Sequence, residues 1–188
     1  MDLDRKLFSE FVEGPSALPL LRVYRVSEPG VTVGYSYRGK KEFCVRPTGG
    51  GLVQHGNDFI YSVIARPDTF PTFRQVRTSY LSFHEVVQEV FQKLGLETSL
   101  FRCDDPKAKR NVRVGDPSKD CFATPVPTDV ALRGEKIAGG AQKRTRGGFL
   151  HQGSIQLPEG ISFGPFKEAF LKAFQQKFDI LWVNGDHS

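Results

Sequence analysis

The sequence predicts an α+β fold, a mixed and largely antiparallel sheet flanked by helices, on three observations. Short β-rich runs do not alternate regularly with helical patterns, which argues against a doubly wound parallel sheet. Helical spacing is concentrated in an N-terminal segment, one long central segment and a C-terminal one. Sixteen Phe against a single Trp and a single Met supply bulky, rigid side chains for a core beneath such a sheet. With 188 residues, 39% hydrophobic and 25% charged, the chain has the globular balance of one domain spanning residues 1–188.

Leu3, Leu7, Phe8 and Phe11 recur at helical spacing, so Asp2 to Val12 reads as a short amphipathic helix stopped by Gly14-Pro15-Ser16. Leu21 to Val26 and Val31 to Val33 are strand-like runs parted by the turn signal Glu28-Pro29-Gly30. Phe43-Cys44-Val45 and Phe59 to Ile64 read as two further strands with a glycine-rich loop between them. Pro71 and Thr72 open the longest helical pattern, through Val76, Tyr80, Phe83, Val87, Val90 and Leu94, which Gly95 is placed to cap. From Cys103 to Pro127 periodicity fails and prolines recur, as expected of a long functional loop. Strand character returns over Asp129 to Leu132, from Lys136 to Ala138, and over Gly148 to Leu157. Phe166, Phe170, Phe174 and Phe178 form the apolar stripe of a final helix.

Composition excludes several classes of protein. Three cysteines without a C-x-x-C pair predict neither a disulfide framework nor a structural zinc site, and no metal site is expected. No segment approaches the roughly 20 apolar residues of a membrane span, and no signal-peptide pattern opens the chain, so a cytoplasmic protein is expected. The net charge of +5 points to acidic partners.

Three clusters carry candidate chemistry. In Arg46-Pro47-Thr48-Gly49-Gly50-Gly51-Leu52-Val53-Gln54-His55, three glycines let backbone N–H groups converge and a ligand approach the main chain. Taken alone, such a cluster reads more often as a flexible turn between strands. It lacks the Gly-Lys-Ser/Thr of a P-loop and the third spaced glycine of a dinucleotide fingerprint. In Gly134-Glu135-Lys136-Ile137-Ala138-Gly139-Gly140-Ala141-Gln142, a lysine just past a turn enters a run of small residues. It could project into a cavity and polarise a carbonyl, whereas most lysines are simply solvated. In Asp120-Cys121-Phe122, the thiol stands beside Lys119 and outside any apolar periodicity, the setting of a usable nucleophile. Cys44 and Cys103 are expected to be small buried hydrophobes.

Together with Tyr61-Ser62, Asp129 and His151-Gln152-Gly153-Ser154-Ile155, these clusters resemble the lipoate/octanoate branch of the biotin/lipoyl protein ligase family, from Leu21 to about Phe178. The resemblance implies a fold like that of biotin synthetases and class II aminoacyl-tRNA synthetases. Many ligases of the family carry an additional C-terminal domain; this chain ends soon after its last helix, so a single catalytic domain over residues 1–188, without a separate C-terminal accessory domain, is expected. The acyl-binding positions it implies are Arg46, Thr48, Gly49, Gly50, Gly51, His55, Tyr61, Gly139, Gly140, Ala141, Gly153 and Ser154, with Lys136 on the acyl carbonyl. The family holds two chemistries. Ligases spend ATP, with Mg, on a lipoyl-adenylate, some with a separate accessory protein. Octanoyltransferases take octanoate from acyl carrier protein, usually through a cysteine thioester, and need no cofactor; both deliver to a lysine of a lipoyl domain. Cys121 matches the nucleophile of one octanoyltransferase class, and the chain ends soon after its last helix, so transfer is the expected reaction. Transferases with this cysteine generally continue further, which makes the chain a minimal or shortened relative.

A DNA-binding regulator is the reading from another class. Arg133, Lys136, Lys143, Arg144 and Arg146 stand against Glu135 alone, a density that suits nucleic acid. No helix-turn-helix segment precedes them and no RNP-like aromatic run is present, so the patch is better assigned to an acidic carrier domain or to plain solvation.

Overall fold

The computed structural model describes residues 2–14, 18–26, 28–39, 42–108 and 120–183. Helix α1 (Asp2–Glu13) leads into β1 (Leu20–Arg25), β2 (Gly30–Val33), β3 (Cys44–Val45), β4 (Val53–His55) and β5 (Asp58–Ala65). A 3-10 turn (Pro71–Phe73) and α2 (Val76–Lys93) follow, then β6 (Ser99–Leu100), β7 (Val130–Leu132), β8 (Glu135–Arg144), β9 (Phe149–Gln156) and α3 (Phe163–Phe178). Six strands pair antiparallel throughout in the order β1-β5-β9-β8-β7-β6. The smaller sheet, β3-β2-β4, joins β2 and β3 in parallel and β2 and β4 antiparallel. The expected mixed, largely antiparallel sheet with flanking helices is what the chain forms.

The phenylalanines explain how the layers hold. Phe166, Phe170, Phe174 and Phe178 of α3 are buried, and Phe59 of β5 meets Phe166 and Phe170 with ring centroids 4.9 and 5.1 Å apart. Phe83 and Phe91 of α2 complete this layer on one face of the large sheet. On another face α1 sets Leu7, Phe8 and Phe11 against Ile64 and Leu150. The long helical pattern begins later than its spacing suggests. Phe73, buried against Phe70, Phe83, Phe149 and Phe178, draws Pro71–Phe73 inward as a separate turn, and α2 starts at Val76. Pro15 and Ser16 lie outside the described residues.

Two fully buried histidines, His84 on α2 and His151 on β9, face one another with ring centroids 6.2 Å apart. Burial lowers the pKa of His84, and burial with repulsion from His84 and Arg144 holds His151 well below its ordinary value. The unfolded chain takes up protons near pH 6.5 where the folded chain does not, so their stabilisation is present above that pH and lost below it. Urea unfolding at pH 7.5 and 5.5 checks this. A lower stability at pH 5.5 is expected, with a shallower fall in His151→Phe, and a flat profile contradicts it.

Candidate active site

The site forms where the glycine loop lies over β8, β9 and β5. A narrow cavity of about 70 Å³ is lined by Arg46, Gly50, Val53, His55, Ile60, Cys121, Phe122, Lys136, Gly139, Gly140, Ala141, Gln152, Gly153 and Ser154. Segments distant in sequence meet here because the chain stitches them. Cys121 N–H donates to the Leu52 carbonyl at 2.8 Å, and Leu52 bridges Asp120 in parallel. Arg46 staples the glycine loop from within, its Nη1 donating to Thr32 Oγ1 at 2.6 Å and its Nη2 to the Gly51 and Gly49 carbonyls at 2.8 and 3.3 Å. Gly50 stands at φ +89°, a left-handed conformation that glycine takes without strain.

Cys121 Sγ accepts a 3.0 Å hydrogen bond from the Gly51 N–H. Burial lowers the pKa of the Arg46 guanidinium, and the Cys121 sulfur is the first of the groups that push it back up. Negative charge on this sulfur therefore has a backbone donor and a buried guanidinium beside it. Lys119, expected to be its cation, lies outside the described residues.

Lys136 owes its position to an irregularity of the sheet. Val130 pairs with Ala138, yet Ala131 pairs with Lys136, so Ile137 is an extra residue on β8. Such a bulge re-aims the side chains beside it. Ala138 and Ile137 both pack on the main core, while Lys136 joins Gly139 at the cavity. The ammonium is buried, pairing with Asp129 Oδ2 at 2.7 Å and donating to the Cys121 carbonyl at 2.8 Å. Among the described residues these take two of its three N–H donors, which leaves the third for a ligand carbonyl.

Glycine at 139 is a geometric requirement. A Cβ there would stand 2.7 Å from Lys136 Cε, 2.8 Å from its Nζ and 2.9 Å from Asp129 Oδ1. Gly139→Ala should displace the ion pair and lower the melting temperature, because the added carbon has no room beside Lys136 and Asp129. An unchanged melting temperature would contradict this placement.

His55 and Ser154 line the cavity with their polar atoms engaged elsewhere. His55 Nδ1 lies 2.8 Å from Asp58 Oδ2, its Nε2 lies 2.7 Å from Thr32 Oγ1, and Ser154 Oγ donates to Asp58 at 2.9 Å. They therefore offer a ligand mostly carbon surface. Thr48 is fully buried behind the loop, its Oγ1 donating to Gln152 Oε1 at 2.7 Å.

Several expectations change. Tyr61 is not among the cavity residues: strand alternation turns it to the helix face, against Phe170 and 3.1 Å from His151 Nε2. Gly153 contributes backbone, because a Cβ there would run into the Tyr61 ring, and Gly140 likewise gives its second face to His151. Cys44 and Cys103 are exposed, the first on the short strand β3 and the second in a polar turn. The basic window loses two of its five cations to the interior side. Lys136 is paired with Asp129, and Arg144 donates to the Phe73 carbonyl and Ser79 Oγ at 2.9 and 2.8 Å. Arg133, Lys143 and Arg146 remain exposed.

Asp4 is the residue sequence reasoning missed. It is fully buried and accepts from Arg22, Tyr24, Ser62 and Gln152, the last through Nε2 at 2.7 Å. Through Gln152 and Thr48 it fixes the glycine loop from α1. Its one sequence signal was a carboxylate beside the apolar stripe of a short helix.

An antiparallel sheet carrying a buried lysine beneath a glycine loop has the fold of lipoate-protein ligase catalytic domains. The chain superposes on lipoate-protein ligase A, solved with bound ATP, with a TM-score of 0.73 at 19% identity, over 97% of this chain and 81% of that one. It superposes on a bipartite lipoate protein ligase of Thermoplasma acidophilum, studied with its E2 lipoyl domain, with a TM-score of 0.70 at 18% identity, over 97% and 79%. Residues 1–159 match the model of the lipoyl protein ligase A/B catalytic domain, and the chain belongs to that family. It is 33% identical over 159 residues to the octanoyltransferase LipM of Kyrpidia tusciae, over 76% of this chain and 57% of that protein. The chain thus spans less than two thirds of the length of that curated relative. Among the described residues no helix is long and apolar enough to cross a membrane.

Proposed function

We propose that this chain is a cytoplasmic acyltransferase that moves an octanoyl, or lipoyl, group from acyl carrier protein to a lysine of a lipoyl domain through a thioester on Cys121. One observation carries the reading: a thiol with the Gly51 N–H on its sulfur shares a cavity with a buried ammonium that keeps one donor for a carbonyl. The family and the LipM relative support it. The two sheets and three helices of the described residues act as one catalytic unit.

Cys121 Sγ attacks the carbonyl carbon of the donor thioester, and Lys136 holds the charge that develops on the oxygen. The carbon–sulfur bond to the carrier breaks, and the carrier thiol leaves with the proton that Cys121 gave up. The acceptor amine then attacks the Cys121 thioester; an amide forms, the carbon–sulfur bond breaks, and the amine's proton returns to the thiol. Every step starts from an activated acyl group, so neither ATP nor a metal enters. Val53, Ile60 and the Gly139-Gly140-Ala141 backbone give the aliphatic chain a carbon-lined path. The exposed Arg133, Lys143 and Arg146 suit an acidic carrier or lipoyl domain, since complementary charge speeds encounter.

Adenylation of lipoate by Mg-ATP is the second reading, favoured by the fold shared with the ATP-bound ligase. Apo lipoyl domain offered octanoyl-acyl carrier protein in one reaction and lipoate with Mg-ATP in another separates them. Modification in the first alone is expected. Modification in the second alone, with pyrophosphate release, replaces the transferase by the ligase.

A further inference from the structure

Thr128 immediately precedes the carboxylate that holds Lys136, and its φ is +82°. A β-branched residue seldom occupies that region, so its surroundings must hold it there. Three hydrogen bonds do so. The Asp129 N–H donates to the Val126 carbonyl at 3.1 Å, closing a turn over Pro127 and Thr128; the Thr128 N–H donates to the Phe101 carbonyl at 2.8 Å; and the Thr128 carbonyl accepts from His84 Nδ1 at 2.6 Å. The last is the shortest, and it comes from a helix across the core. His84 is 1% exposed, and its other ring nitrogen, Nε2, is buried without a hydrogen-bond partner among the described residues. Packing alone does not explain an imidazole here, since an apolar ring would avoid the cost of that orphaned acceptor. With the proton on Nδ1, the one hydrogen bond the ring makes is spent on the Thr128 carbonyl. Downstream the arrangement is tight: Asp129 Oδ2 accepts from the Val126 N–H at 2.8 Å and pairs with Lys136 Nζ at 2.7 Å.

We propose that His84, a residue outside the cavity, is a positioning residue: it holds Thr128 in its left-handed conformation and so aims Asp129 at Lys136. Its consequence for acyl transfer rests on Lys136 being the cation at the acyl carbonyl. Loss of the Nδ1 donor lets the Thr128 peptide turn, the Asp129 carboxylate shifts with it, and the ammonium loses its fixed place.

The test reads the lysine directly as well as the reaction. The buried Lys136 ammonium, held by Asp129 and the Cys121 carbonyl, should give a slowly exchanging side-chain NMR signal, assigned by its absence in Lys136→Ala. His84→Phe keeps an aromatic ring and removes the donor, and should lose or shift that signal and lower kcat about 10- to 100-fold with KM little changed. His84→Asn, whose amide places a donor near Nδ1, should restore both. Should His84→Phe not fold, His84→Leu carries the same expectation. An unchanged Lys136 signal in a folded apolar variant overturns the proposal, as does a His84→Asn variant that matches His84→Phe. If the signal behaves as expected while Lys136→Ala still transfers octanoate normally, the positioning stands and the assigned role of the lysine falls.

Discussion

Replacing Cys121 by alanine should abolish octanoyl transfer from acyl carrier protein to a lipoyl domain, a loss of at least about 10³-fold in kcat/KM, because no other group described at the cavity can form the thioester. The sulfur is fixed rather than loosely placed. Its own N–H is bound to the Leu52 carbonyl, its side chain accepts from the Gly51 N–H, and its carbonyl accepts from Lys136. Folding should be nearly unaffected, since the side chain is small and only half-buried. Cys44→Ala and Cys103→Ala should retain full activity, because both thiols are exposed and neither lines the cavity. Steady-state transfer to the lipoyl domain measures this, and a Cys121→Ala enzyme within tenfold of the parent would remove the thioester route.

Lys136→Ala has the second largest expected effect. Losing one preorganised donor to a developing oxyanion costs about 3–4 kcal/mol, or 10²–10³ in kcat. The substitution also leaves Asp129, with its side chain 2% exposed, holding an unpaired charge, so some stability is lost as well. Lys136→Arg should fail in catalysis too. A planar guanidinium cannot take the place of a compact ammonium bounded by Asp129, the Cys121 carbonyl and the Gly139 backbone. Transfer assays with thermal unfolding separate the two losses: folded Lys136→Ala with near-normal kcat would take the lysine out of the mechanism.

The layers of this fold were legible in the sequence because hydrophobic periodicity writes them directly. The Phe166 to Phe178 stripe became α3, and the run Phe59 to Ile64 became β5, buried along its whole length. Strands β4 and β6, only three and two residues long, carry too little period to be read. Proximity within the site was legible only through motifs. Cys121 and Gly51 are 70 residues apart, and Asp4 and Gln152 are 148 apart, so no local pattern joins them. Lys136 is the most instructive case. Strict strand alternation would place it with Ala138 in the core, and the extra residue Ile137 turns it to the cavity. A bulge depends on the partner strand and has no signature in β8 itself. Tyr61 fails for the opposite reason: its motif neighbours the site, while alternation sends its ring to the far face of the sheet.

The thioester itself is the most direct test of this account. The protein is incubated with octanoyl-acyl carrier protein alone, without ATP or lipoyl domain, and its intact mass is read before and after hydroxylamine. One octanoyl group per chain is expected, removed by hydroxylamine, absent from Cys121→Ala and retained in Cys44→Ala and Cys103→Ala. No adduct on the parent protein, with lipoyl-domain modification that requires Mg-ATP and survives Cys121→Ala, would contradict it.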